Sequence, residues 1–354
     1  MPSLAERLRR SAALARAVLR ARRGPFDPFK LTWILTERCS HTCRTCHLWA
    51  ADPGAGPDLP EIEAVLLANP QLTWLNLSGG DLVERPDAPA IMQRVADLGR
   101  DLALVDFPTS GLDTEATLAC VRPLLESDIS RIYVTVSIDG PDAVHDRVRG
   151  RRGSARAGRA TLAALQSIRR PGFRAVAGMT LSRHNLPKET PATPEELDAL
   201  LPEQIDPADL HLNLAHHSGH YYRNQTTVVP PTGPALALLD HVRRRAPHAL
   251  TPLALIERRY WKLARRFLTH GDVGGSCGAL RASVFLAADG TVYPCSLFDR
   301  PLGRLADVGH ALRRLPELPG AREALGLVEQ RACPQCWSPC EAFPTLLLGG
   351  GRLR

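Results

Sequence analysis

No stretch of the sequence approaches the roughly 18 consecutive apolar residues that a membrane-crossing helix needs, and LLLGGG near the C-terminus is far too short. The N-terminus lacks an uninterrupted apolar signal core, because Arg16 and Arg20 break it. There is no internal repeat beyond a strand and helix alternation, and no low-complexity segment beyond an Arg/Ala-rich N-terminal arm. The net charge is +7, but little of it is spread along the chain. Residues 1–30 carry seven Arg and one Lys against Glu6 and Asp27, a surplus of six, which leaves +1 for the remaining 324 residues. A nearly neutral body lacks the basic stripe that binds phosphate backbones, so no nucleic-acid partner is expected. The nine cysteines form closely spaced groups in a long chain, a pattern of metal ligands in a reducing compartment rather than of a disulfide scaffold. A cytoplasmic protein is expected.

With 354 residues and 44% hydrophobic content the chain can bury a substantial core. Short β-rich runs at 31–36, 72–77, 102–108, 131–138, 173–181 and 209–215 alternate with helix-like stretches near 61–68, 88–99, 113–125, 155–169 and 195–201. Near-continuous apolar strands separated by amphipathic helices predict an α/β fold with a parallel sheet buried on both faces, six β/α units long. Ligand-binding groups in such folds sit on the loops after the C-terminal strand ends. There the sequence places a cysteine triplet after strand one, SGGD (78–81) after strand two, TSG (109–111) after strand three and SIDG (137–140) at the end of strand four. From about 275 the character changes: SVFLAADGTVYPC reads as a hairpin about Asp289-Gly290.

The stretch TERCSHTCRTCHLWA (36–50) holds Cys39, Cys43 and Cys46 with no fourth cysteine beside them. A structural zinc site wants four closed ligands. A [4Fe–4S] cluster held by three thiolates instead leaves one iron open for another ligand. At these residues the sequence resembles the radical SAM superfamily, whose hallmark is a Cys-x3-Cys-x2-Cys loop after the first strand of a partial (β/α)6 barrel; the similarity covers roughly residues 30–220. The resemblance implies S-adenosylmethionine (AdoMet) at the open iron and its one-electron cleavage to a 5′-deoxyadenosyl radical that takes hydrogen from a substrate. It further implies that Gly79, Gly80 and Asp81 receive the methionine ammonium, with Asp81 in place of the usual Glu. Ser137 and Arg149 would lie near the methionine carboxylate or ribose. The aromatic residue usual before the third cysteine is Thr45 here, so His47 or Trp49 would have to supply the adenine contact.

Cys277 and Cys295 at the ends of the hairpin, with Cys333 and Cys336 on a later loop, could hold zinc or a second iron–sulfur cluster. The spacing Cys277-x12-Gly290-x4-Cys295 is similar to the start of the SPASM extension, and the count of five cysteines resembles its shorter twitch form with one auxiliary [4Fe–4S] cluster. Cys340 is the substitute ligand if the last loop turns differently, and Cys120 reads as an inert buried residue. The expected organisation is a basic amphipathic helix (1–29), a radical SAM barrel (30–225), a helical bridge (226–270), a twitch/SPASM-like hairpin-plus-helix domain (271–345) and a tail (346–354).

The segment AHHSGHYYRNQ (215–225) gathers histidines and tyrosines at the expected rim, of which His217, Tyr221 and Tyr222 are candidate catalytic residues, for proton acceptance or hydrogen-atom passage. The resemblance implies oxidative modification or dehydrogenation of a small-molecule, lipid or peptide substrate, with the auxiliary cluster as electron acceptor and a flavodoxin or ferredoxin as donor. Peptide epimerisation or crosslinking is the related alternative, although only some thirty residues precede the barrel, so a leader peptide would need a separate partner. A non-catalytic zinc scaffold is the alternative from another class. In the arm, Leu4, Leu8, Ala12, Ala15 and Leu19 fall at helical spacing among arginines. This face either packs on its own domain or lets residues 4–23 touch an anionic membrane.

Overall fold

The computed structural model describes residues 3–50, 54, 56–224, 226–245 and 252–349, so the end of the expected tail lies outside the described residues. After α1 (Leu4–Ala21) the chain alternates β1 (Lys30–Thr36), α2 (Leu59–Ala68), β2 (Trp74–Gly79), α3 (Ala88–Leu98), β3 (Leu104–Thr109), α4 (Thr114–Glu126) and β4 (Arg131–Ser137). Two helices follow, α5 (Asp142–Arg149) and α6 (Ser154–Gln166), then β5 (Phe173–Leu181), α7 (Pro194–Asp198) and β6 (Leu210–Leu214). The remainder is α8 (Thr232–Arg245), α9 (Pro252–His270), β7 (Ser283–Leu286), β8 (Thr291–Tyr293), β9 (Gly303–Arg304), α10 (Ala321–Glu329) and α11 (Pro339–Leu347).

All six strands from β1 to β6 pair in parallel, in spatial order β6-β5-β4-β3-β2-β1. Parallel neighbours require crossovers, and the helices supply them. The strands are not apolar on both faces, as their composition led one to expect. In β4, Ile132, Val134 and Val136 are fully buried against the helices, while Arg131, Tyr133, Thr135 and Ser137 line an internal cavity. The same period-2 division turns Trp74, Asn76 and Ser78 of β2 inward and sends Leu75 and Leu77 to the core.

The C-terminal hairpin extends this sheet rather than forming its own. Strand β7 runs parallel to β1, with Lys30 opposite Ser283 and Trp33 opposite Leu286, and β8 returns antiparallel through Asp289-Gly290. Gly290 sits at φ +83°, which the turn demands and a side chain would strain.

Helix α1 packs on its own domain, but by a different face from the one its leucines mark. Ala13, Ala17 and Ala21 are buried and Arg10 donates to the carbonyls of Gly99 (2.8 Å) and Leu102 (3.2 Å). Leu4, Leu8 and Leu19 are 69%, 62% and 53% exposed. Small alanines let the helix approach closely, and an arginine that satisfies carbonyls of the turn between α3 and β3 can be buried with them. Among the described residues no helix is long and apolar enough to cross a membrane.

Candidate functional site

The cysteine triplet lies on the loop between β1 and α2, and the backbone around it is pinned from two sides. The amides of Thr42 and Arg44 donate to the carbonyls of Arg149 and Val148 at the end of α5, and the His47 amide donates to the Tyr222 carbonyl at 2.7 Å. The indole of Trp49 donates to the Cys46 carbonyl at 2.9 Å. All three thiols line one cavity of about 470 Å³ that runs down the barrel interior. Burial pushes Cys39 up to about 12 and Cys46 up to about 11, and raises Cys43 as well, so each stays a neutral thiol until a bound cation compensates the thiolate.

The glycine pair beside them is there for close approach. Gly79 sits at φ +138°, and a Cβ on it would collide with the Thr36 carbonyl oxygen; one on Gly80 would collide with that of Arg38. The backbone of this turn therefore lies directly on the root of the cysteine loop, joined to it by Gly80 N–H to Thr36 O (2.8 Å) and Asp81 N–H to Arg38 O (2.9 Å). Asp81 lines the cavity, but its carboxylate is already engaged, accepting from the Ser110 amide (2.8 Å), the Ser110 hydroxyl and the Thr109 hydroxyl (3.2 Å). A side chain one methylene shorter than Glu reaches the neighbouring TSG loop and fixes it.

Ser137 and Arg149 both line the cavity. Arg149 is held by Asp139 at 2.7 Å, with its Nη1 3.9 Å from Cys43 Sγ. Burial works against the guanidinium charge, but Asp139 and Cys43 together outweigh it and keep the group protonated. Thr45 and Trp49 line the cavity as well, whereas His47 is not among its walls.

Of the three candidate catalytic residues, Tyr221 and Tyr222 line the cavity and His217 does not; His217 is exposed on the outer side of the loop, and its neighbour His216 takes the inward position. Tyr221 shares a 2.7 Å hydrogen bond with Ser78, and its ring lies 4.4 Å from that of Tyr222. The His216 Nε2 is buried without a partner, and burial pushes the imidazole down to about 4. His220 instead faces Cys295, whose carbonyl lies 3.1 Å from its Nε2, and stacks on Tyr293.

The second cysteine group divides. Cys277, Cys295, Cys333 and Cys336 surround a separate cavity of about 40 Å³, while Cys340 at the start of α11 lines the barrel cavity. N–H groups point at three of the four sulfurs: Ala279 at Cys277 (3.4 Å), Phe298 at Cys295 (3.3 Å) and the Gln335 side chain at Cys333 (3.4 Å). Gln335, between Cys333 and Cys336, adopts the left-handed region at φ 49°, a strained turn that brings both thiols to one side. Burial pushes Cys277 up to about 12 and raises Cys295 and Cys336 well above the ordinary thiol value. Among the described residues the one set of three metal-capable groups whose ligand atoms all lie within 4.8 Å is Cys39, His41 and Glu84. The four thiols around the smaller cavity are thus spread more widely than the roughly 3.8 Å between sulfurs that a tetrahedral zinc with Zn–S of about 2.3 Å imposes.

The barrel floor was not legible in the sequence. Lys30, almost fully buried, donates to the Cys340 carbonyl at 2.5 Å and lies 4.7 Å over the Trp74 ring, while Asp106 accepts from the Trp74 indole. Arg131, Arg174, His211 and Glu257 complete the lower wall. All of these except Glu257, which comes from α9, sit at alternate positions of strands whose other face is core, so the period-2 pattern marked them, but apolar composition masked it.

No family model matches the chain. It is 30% identical to pre-heme d1 synthase of Dinoroseobacter shibae over 170 residues, 47% of this chain and only 39% of that protein. It is 24% identical to AdoMet-dependent heme synthase of Methanosarcina barkeri over 339 residues, 87% of this chain and 91% of that one. Its fold is similar to that of anSMEcpe with bound AdoMet (TM-score 0.54, 13% identity, 84% of this chain and 83% of that one) and of the same protein with AdoMet and the Cp18Cys peptide (TM-score 0.55, 14% identity, the same coverage). With a Cys-x3-Cys-x2-Cys loop seated on a glycine pair at the mouth of six parallel strands, the chain resembles the radical SAM superfamily in motif and fold.

Proposed function

We propose that this chain cleaves AdoMet reductively and uses the 5′-deoxyadenosyl radical to start an oxidative modification of a tetrapyrrole that carries carboxylate side chains. The observation that carries the reading is the placement of two separate thiol groups, three on the barrel cavity and four around a smaller one, with Tyr222 packed between them. The donor sets suit iron–sulfur clusters: buried or half-buried thiols gathered in two groups, with N–H groups aimed at sulfur in the second. Cys39, Cys43 and Cys46 would hold the AdoMet-binding [4Fe–4S] cluster, and Cys277, Cys295, Cys333 and Cys336 an auxiliary one able to accept an electron.

The chain's own residues supply the rest. Gly79 and Gly80 leave backbone rather than side chain at the cluster's mouth, and Arg149 brings a fixed positive charge for a carboxylate. A substrate losing a hydrogen atom and then an electron must also shed a proton. His216, a neutral residue of the cavity wall whose Nε2 is buried without a hydrogen-bond partner, can accept it. The tetrapyrrole class rests on the names of the two relatives, and the cations Lys30, Arg131 and Arg174 on the lower wall match its carboxylates. One electron would enter for AdoMet cleavage from an external one-electron carrier of the flavodoxin or ferredoxin kind, and the one the substrate gives to the auxiliary cluster would leave to the oxidised form of the same carrier.

The test is anaerobic reconstitution of the full chain with iron and sulfide, followed by AdoMet and dithionite. Brown protein that releases 5′-deoxyadenosine supports the reading; colourless zinc protein without cleavage overturns it in favour of a scaffold. Porphyrins bearing propionates, with and without iron, should raise 5′-deoxyadenosine release and lose mass or hydrogen. Stimulation by peptides alone would move the substrate to that class.

A further inference from the structure

His41 lies inside the cysteine loop, between Cys39 and Cys43, and is 1% exposed. It lines the barrel cavity with the three thiols, and neither of its ring nitrogens has a hydrogen-bond partner. Its acceptors are few. Arg149 and Arg151, which face it, are donors only. His145 takes the Asp139 amide on Nδ1 at 2.9 Å and so carries its own hydrogen on Nε2. Asp139 is committed to Arg149 (2.7 Å) and to the Thr180 amide (2.8 Å). Glu84, the remaining carboxylate within reach, already accepts from the Ser40 amide (3.0 Å) and hydroxyl (2.6 Å). A Glu84 carboxylate oxygen and Cys39 Sγ both lie within 4.8 Å of a His41 ring nitrogen, yet neither is hydrogen-bonded to it, and a cluster on the three thiols would bring further sulfur to the same cavity wall.

We propose that the His41 imidazole donates its N–H to a sulfur of the cluster held by Cys39, Cys43 and Cys46, and thereby sets the potential at which that cluster is reduced. The inference rests on the reading that these three thiols hold the cluster. A buried donor without an acceptor costs free energy, and a sulfur arriving with the cluster removes that cost. Hydrogen bonds to its sulfurs stabilise the extra electron of a reduced cluster, so the bond raises the potential. His41 is then a positioning and tuning residue; it touches neither substrate nor the bond that breaks.

The experiment is an EPR-monitored redox titration of the reconstituted full chain, following the signal that changes when AdoMet is added, in wild type, His41→Asn and His41→Leu. The leucine variant should assemble the same iron and sulfide content with a more negative midpoint potential, and the asparagine variant, which keeps an N–H donor, should lie between it and wild type. Wild type labelled with 15N-histidine should show a weak nitrogen coupling on that signal in pulsed EPR, absent from both variants. An unchanged potential in His41→Leu overturns the inference while leaving the proposed function standing. So does a strong coupling of the kind a directly bound nitrogen gives. If His41→Leu assembles no cluster, the labelled wild type decides alone, and absence of any coupling overturns it. A wild-type chain with no AdoMet-responsive signal sinks both readings.

Discussion

The backbone amide of His47, one residue after the third cysteine of the barrel loop, donates to the carbonyl of Tyr222 at 2.7 Å, and Tyr222 packs against the apolar cluster of Ala279, Cys295, Leu297 and Val328. One residue thus fixes the loop of the first thiol group and packs on the apolar residues beside the second. It also faces the cavity in which a substrate would sit. The aromatic ring matters as contact between compartments, whereas its hydroxyl makes no hydrogen bond among the described residues. Tyr222→Phe should therefore keep turnover near wild type. Tyr222→Ala should lower product formation about tenfold, roughly 1.4 kcal/mol in barrier, while 5′-deoxyadenosine release falls less. The ratio of 5′-deoxyadenosine to product checks this, and an unchanged ratio in the alanine variant refutes it.

Cys340 stands apart from the other C-terminal cysteines because α11 begins at Pro339 and turns its second residue toward the barrel, with the Cys340 carbonyl tied to Lys30. Replacing it with alanine should leave the iron and sulfide content of reconstituted protein unchanged. Replacing Cys333 or Cys336 should remove about half of the iron, since a cluster short of one thiolate loses its closed coordination. Mössbauer spectra and iron analysis of the three variants decide between these ligand sets.

The barrel, its order of elements and the Asp289-Gly290 hairpin could be read along the chain because they rest on local periodicity and turn chemistry. What could not be read rests on pairing between distant segments. The lateral addition of β7 to β1 is set by register, Lys30 against Ser283, which no local pattern encodes. The sorting of Cys340 from Cys333 and Cys336 depends on where a helix starts, and element boundaries are the least local feature of a sequence. His216 and His217 show the same limit at the scale of one residue: both are histidines on one loop, and a single step of backbone direction decides which meets the cavity. In α1 the leucines drew attention to the wrong face, because the alanine stripe at Ala13, Ala17 and Ala21 permits closer packing than its modest apolarity advertises.

Gly80 offers a test of the scaffold separate from chemistry. Its φ is not in the left-handed region, so a side chain there meets only space, and that space is filled by the Arg38 carbonyl and the Cys39 Cβ. Gly80→Ala should push the cysteine loop away from the turn and break the hydrogen bond from the Asp81 amide to Arg38. The expected cost is about 1–3 kcal/mol, read as a lower Tm, together with poor retention of the first cluster and a normal second one. Gly79→Ala adds the strain of φ +138° to a similar collision and should be the more damaging. If Gly80→Ala retains both clusters and its Tm, the turn does not support the loop.

His216 ties the site to pH. Burial holds its folded-state value near 4, against about 6.5 for an exposed imidazole. A depressed value means the unfolded chain binds the proton more readily, so the stabilisation is complete above pH 6.5 and is lost as pH falls toward 4. The shift corresponds to roughly 3 kcal/mol at most, and a cavity that admits water reduces it. His216→Gln carries no such titration. Urea unfolding of both reconstituted proteins between pH 7.5 and 4 should show wild type losing more stability than the variant over this window, while effects common to both, including acid loss of the clusters, cancel. At pH 7.5 the variant should form product more slowly with AdoMet cleavage retained, since the position then lacks a proton acceptor but the thiols of Cys39, Cys43 and Cys46 are untouched. Equal pH dependence in the two proteins would mean that the imidazole is hydrated in the native state and that its Nε2 does not wait, unpartnered, for a proton from the cavity.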